Sequence, residues 1–171
     1  MQRSAGTVCT GVSGADHAMT IIMAVKNTAV AGVRAYMEWD AAGAGSPRYA
    51  VPYRNGATPH LFRTDDAAVN VDATIGGAVL ATAPAIYTVS FSGTAGQMFV
   101  NGTSLGAAVA CNVGACTFDL FTLGCAAPAG TESLFCDFSI AELAIFGVQL
   151  SAANQLAIER YMGARYGIAV A

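Results

Sequence analysis

The chain has 171 residues, 54% of them apolar and only 11% charged, with a formal net charge of −3, a length that suits one domain around one core (1–171). Its eight Lys and Arg are scattered, which leaves no basic patch and argues against nucleic acid as a partner. Gly, Thr, Ser, Asn and Pro interrupt every apolar stretch, so no helix of the roughly 20 apolar residues that a membrane span needs is predicted, and no membrane partner with it.

The opening MQRSAGTVCTGVSGADHAM carries one Arg and no continuous apolar core, so no export signal is expected. Short segments rich in β-branched and aromatic residues then recur at 18–25, 33–39, 48–53, 60–64, 68–75, 86–92, 97–100, 103–105, 118–123 and 134–146, the rhythm of an antiparallel sandwich or barrel. Residues 41–47 and 126–130 read as loops. In IYTVSFSGTAGQMFVNGTSLG, a small-residue connection and the dipeptide Asn101-Gly102 predict a three-strand meander, because a type I′ hairpin needs two residues that tolerate positive φ.

Five cysteines, Cys9, Cys111, Cys116, Cys125 and Cys136, cannot all pair within the chain, and without an export signal thiols are the default. They sit among apolar or small residues and lack the paired short knuckles of structural zinc. Buried small hydrophobes are expected, ahead of disulfides and well ahead of metal ligands.

The ending alternates, then changes period. Phe138, Ile140, Ala144 and Phe146 fall on one side of a strand and Ala141, Leu143 and Ile145 on the other, so both faces should be covered, with Glu142 paired or at an edge near water. Gly147 breaks the strand and Ser151 suits an N-cap. The helix that follows, about 152–166, carries a stripe of Ala153, Leu156, Ala157, Ile158, Tyr161 and Met162, with Glu159, Arg160 and Arg165 outside it and Gly167 closing it.

The strand MTIIMAV, the meander with its VNG hairpin, and the closing FSIAELAIFGVQLSAANQLAIERYMGARYGI resemble the laminin-G-like, concanavalin A-like lectin/glucanase superfamily, in the short form met in phage and bacterial surface proteins. The resemblance implies an all-β fold: a two-sheet antiparallel jelly-roll sandwich with one C-terminal α-helix. The chain starts near the first regular strand, so an edge strand of the family is expected to be short or supplied by a neighbour.

Glycosidase relatives place acids in a Glu-x-Asp-x-x-Glu-like row. Glu38 and Asp40 match its start, but Ala41, Ala42, Gly43 and Ala44 follow, and a retaining mechanism needs both nucleophile and acid. No catalytic residue is therefore assigned. His17 and His60 read as loop or surface residues, and Ser13 lacks the strand-to-helix context of a nucleophile elbow.

Lectin-like members bind sugars at rim loops with aromatics and amides, often with calcium. The resemblance nominates Trp39, Tyr49, Tyr53 and Asn70 for ligand contact and Asp65, Asp66 and Asp72 for calcium, while TDDAAVNVD also reads simply as a solvated turn. A calcium titration abolished by Asp65→Ala plus Asp66→Ala would distinguish the two.

Two functions follow from these features. The first is a non-catalytic decoration or fibre module on a phage virion, whose charge-poor surface packs against other virion proteins or against copies of itself as a homo-oligomer. The second is a carbohydrate-binding domain of a bacterial surface or secreted protein, whose partner is a cell-surface glycan.

Overall fold

A computed structural model describes residues 2–4, 14–15, 17–40, 48–64, 70–77, 79–111, 115–116, 120–126 and 133–171. Among them run fourteen strands and a helix: β1 (Gln2–Ser4), β2 (Gly14–Ala15), β3 (Met19–Asn27), β4 (Val33–Asp40), β5 (Arg48–Asn55), β6 (Thr58–Thr64), β7 (Asn70–Thr74), β8 (Ala85–Phe91), β9 (Ala95–Val100), β10 (Thr103–Ser104), β11 (Val109–Ala110), β12 (Ala115–Cys116), β13 (Leu120–Leu123), β14 (Phe138–Phe146) and α1 (Ala152–Tyr166). One sheet runs β1-β13-β4-β5-β6-β7. The other runs β10-β9-β8-β3-β14, with β11 also on β9, and β12 pairs β2 separately. The short β1 stands at one edge of the first sheet, paired to β13.

The sheets face one another across an apolar core. On β3, Met19, Ile21, Met23 and Val25 belong to that core, whereas Ile22 and Ala24 belong to a second cluster with Ile86, Met162, Ile158 and Tyr166. The unbroken apolar run of β3 thus has a simple cause: the opposing sheet covers one face and α1 the other.

The same holds for β14, with one correction. A strict period of two puts Phe138 and Ile140 with Ala144 and Phe146. Instead, Ile140 pairs with Val25 and Glu142 with Ala24, leaving Ala141 as the extra residue of a β-bulge. The bulge inverts the phase, so Leu143 and Ile145 join Phe138 and Ile140 in the central core, while Ala144 and Phe146 turn to the helix side. Glu142 stands on the edge strand of its sheet, where its Oε2 accepts from the Tyr166 hydroxyl at 3.0 Å and lies 3.5 Å from Arg165. Residues 134–137, expected in this strand, form the loop before it. A second register shift lies between Ala50 and Tyr53 on β5, at Pro52, which has no N–H to give a ladder.

The predicted meander is present, with Asn101 at φ 51° and Gly102 at φ 83°. Asn101 also fixes the hairpin through its side chain, since its Oδ1 accepts from the Ile86 N–H at 2.8 Å.

Helix α1 starts where expected: Ser151 is its N-cap, accepting from the Asn154 N–H at 3.3 Å. It ends at Gly167, after which the Ile168 N–H returns to the Gly163 carbonyl at 2.8 Å, the six-to-one bond of a Schellman cap. Ser151→Ala is expected to cost about 1 kcal/mol, read as a lower urea midpoint at constant slope; an unmoved midpoint would contradict the cap. The buried face differs from the apolar stripe read from the sequence. Gln155, Glu159, Met162 and Gly163 are buried, whereas Ala153, Ala157 and Tyr161 are exposed.

Candidate functional site

The residues nominated for ligand contact lie on strands of the first sheet. Trp39 is 0% exposed, its ring 4.9 Å from that of Phe121 on the neighbouring strand β13. It is a core residue and offers no face to a sugar, because it points into the apolar cluster between the sheets. Tyr49 stands between Trp39 and Arg63 in register, Asn70 pairs with Thr64, and Asp72 with Phe62. Asp65 and Asp66, and with them the proposed calcium loop, lie outside the described residues. Among the described residues no group of three or more His, Cys, Asp or Glu is placed to hold a metal ion.

Glu38, from the glycosidase-like row, is 1% exposed, so its carboxylate is closed to a substrate. Cys111 and Cys125 are buried and Cys136 is half-buried against the apolar core, as expected of small hydrophobes.

Tyr53 has a different setting. Along β6, Leu61 is buried in the central core, where its Cδ1 would meet a Cβ built on Gly96 of the other sheet at 2.6 Å; its neighbour His60 therefore faces outward. Along β7 and beyond, Ile75 is in the core and the preceding Thr74 is exposed. The register aligns Tyr53, His60 and Thr74 across three strands. The Tyr53 and His60 rings lie 4.8 Å apart at 34°, and the Thr74 hydroxyl is 3.5 Å from His60 Nδ1. Ala35 and Ala126 pack against Tyr53, which leaves it 8% exposed.

The result is a short shelf on the outer face of the first sheet: a half-exposed imidazole, backed by the buried Tyr53 ring, with a hydroxyl at its side. An apolar ring face beside convergent polar groups is what a pyranose, with its C–H face and equatorial hydroxyls, is bound by. His60 reads as an unremarkable surface residue in the sequence because its partners come from the strands on either side.

Beneath the adjoining end of the sandwich lies a buried polar network. The Tyr36 hydroxyl donates to Asn27 Oδ1 at 2.8 Å, and Asn27 Nδ2 donates to the Tyr87 hydroxyl at 3.1 Å and the Ala81 carbonyl at 3.0 Å. Burial pushes both tyrosine hydroxyls above their ordinary range, so they remain neutral donors. Arg54, fully buried, donates through Nη1 to the Ala31 carbonyl at 3.0 Å and brings its charge near the Cys136 thiol. Burial raises that thiol, and the guanidinium offsets only part of the shift, which keeps Cys136 protonated and slow to react. The network secures the end of the sandwich that carries the Tyr53 strand.

No family model and no curated protein matches this chain. Solved structures do. The NanB sialidase from Streptococcus pneumoniae superposes with a TM-score of 0.75 at 16% identity over 91% of this chain, which spans 26% of the sialidase. The Ruminococcus gnavus IT-sialidase CBM40 bound to α2,6 sialyllactose superposes with a TM-score of 0.69 at 16% identity, covering 93% of this chain and 98% of that one. The binding domain of botulinum neurotoxin serotype G gives 0.69 at 10% identity over 95% of this chain and 40% of its own. At such identities the likeness carries the fold alone, the two-sheet antiparallel β-sandwich described above.

Proposed function

We propose that this chain is a carbohydrate-binding domain of a cell-surface or secreted protein, with the shelf of Tyr53, His60 and Thr74 as its sugar platform. The observation that carries this reading is the coverage of the Ruminococcus gnavus domain, 93% of one chain against 98% of the other: the likeness is to a whole domain solved with a sialylated sugar. The longer sialidases contain the same fold as about a quarter of their length, which supports an accessory binding role over a catalytic one. The virion-module reading finds no support among these likenesses.

A glycan array probed with the purified chain tests it, followed by titration of each hit against His60→Ala. At least one glycan is expected to bind, and His60→Ala to weaken it tenfold or more, about 1.4 kcal/mol. An array without hits, or hits indifferent to His60→Ala, would overturn the assignment of this face.

A further inference from the structure

A second site of different chemistry lies on the opposite side of the molecule. The outward positions of β3 are Ile22, Ala24 and Lys26. Helix α1 covers the first two and ends at Gly167, so Lys26 emerges exposed where the cover stops. Around it opens a cavity of about 600 Å³ that reaches Thr28, Thr82 and Ser139, and beside that a narrower one of about 250 Å³ between Ile140, Tyr166 and Ile168. Lys26, Pro84 and Ser139 line both, which makes them a single groove with two chambers.

The chambers differ in chemistry. The larger has an ammonium and three hydroxyls at its wall. Its floor, the Asn27 amide, is already engaged by Tyr36, Tyr87 and Ala81. Among the described residues Lys26 has neither ion pair nor hydrogen bond, and the Thr28, Thr82 and Ser139 hydroxyls have no partner. The smaller chamber, beyond the shared Lys26 and Ser139, is lined mainly by aliphatic side chains and Tyr166, whose hydroxyl donates to Glu142 Oε2 at 3.0 Å and lies 3.3 Å from the Ala141 carbonyl. Two acids flank the groove: Glu142 is occupied by Tyr166 and Arg165, and Asp137, whose carbonyl accepts from the Thr28 N–H at 3.0 Å, makes no ion pair with Lys26 among the described residues.

From this juxtaposition we infer that the groove binds an amphiphilic carboxylate. The anionic head pairs with Lys26 and accepts from the flanking hydroxyls, and a short hydrocarbon tail lies against Ile140, Ile168 and the face of Tyr166. An uncompensated cation at the junction of a wet chamber and a dry one selects for both halves at once. A neutral polyol would leave the apolar chamber unfilled, and a plain hydrocarbon would leave the ammonium unpaired.

The inference is tested by titrating sodium octanoate into the folded chain, followed by calorimetry and by amide chemical shifts, with acetate and 1-octanol as half-ligands. Octanoate is expected to bind saturably, with shifts centred on Lys26, Ser139 and Tyr166. Acetate and octanol should each bind at least tenfold more weakly. Lys26→Gln, an exposed and structurally neutral change, should lower octanoate affinity at least tenfold, to the level of octanol. Absence of saturable octanoate binding, equal binding of acetate or of octanol, or unchanged binding by Lys26→Gln would each overturn it.

Discussion

Gly163→Ala is expected to destabilise the protein by about 2 kcal/mol, although alanine is the better helix former by about 1 kcal/mol. A Cβ at this position would stand 2.6 Å from the Ile168 carbonyl oxygen and 2.7 Å from Val170 Cγ2. Neither neighbour is free to move. The chain after Gly167 folds back beneath α1, where Ile168 and Val170 join the cluster between helix and sheet. The Ala171 N–H is bonded to the Asn101 carbonyl at 2.9 Å, and the Ala171 carbonyl accepts from Arg160 at 3.2 Å. Making room for one methyl therefore displaces the tail from the hairpin turn as well. Urea unfolding reads the loss, with Ala164→Gly, an exposed neighbour on the same helix, expected to cost only about 1 kcal/mol through propensity. A Gly163→Ala protein more stable than the parent would show that the helix and tail do not approach so closely.

Stability should also fall as pH rises through and above the ordinary carboxylate range, and one residue should account for the slope. Glu159 is 1% exposed; its Oε1 accepts from the Thr88 hydroxyl at 2.5 Å and from Gln155 Nε2 at 3.0 Å, while Oε2 has no partner. Burial raises its pKa, and the two hydrogen bonds only partly oppose that. A group whose folded pKa lies above its unfolded one contributes fully below the unfolded value, near 4.3, and loses that contribution as pH climbs through the folded value. The cost of holding a buried carboxylate with an unsatisfied oxygen is about 1–3 kcal/mol. Glu159→Gln keeps the shape and cannot ionise. Relative to the parent, it should gain about that much stability between pH 4.5 and pH 8, measured as the difference in urea midpoints. A difference that stays constant across that window would remove Glu159 as the source.

The same glutamate marks where the sequence stopped being legible. Helix α1 was readable in its ends, because Ser151 and Gly167 are local chemistry, but not in its rotation. An apolar stripe through Ala153, Ala157 and Tyr161 is a sound reading when water covers the other face. Here Thr88 offers a buried hydroxyl from β8, and a partner from another element makes a polar inward face affordable. The strands were readable from their alternation, and the Asn101-Gly102 turn from its dihedral demands. The bulge at Ala141 was not, since it depends on where Ile140 and Glu142 meet β3. For the shelf, three residues far apart in sequence become neighbours through register alone, and only Tyr53 of them was nominated. Trp39 failed for a related reason: a large aromatic looks alike in sequence whether it faces a sugar or a core.

Asn27 has a further consequence for the two layers. Apolar contacts carry no direction, so a packed core by itself sets few angular demands on the layers it joins. An amide whose oxygen is taken by Tyr36 from one layer, and whose hydrogens are taken by Tyr87 and Ala81 from the other side, does set them. It works as a dowel between plates, joining the Tyr36 strand of one layer to the β3–β8 pair of the other. The Tyr53 strand pairs directly with the Tyr36 strand, so the same amide couples the layer of the shelf to the layer that bears Lys26.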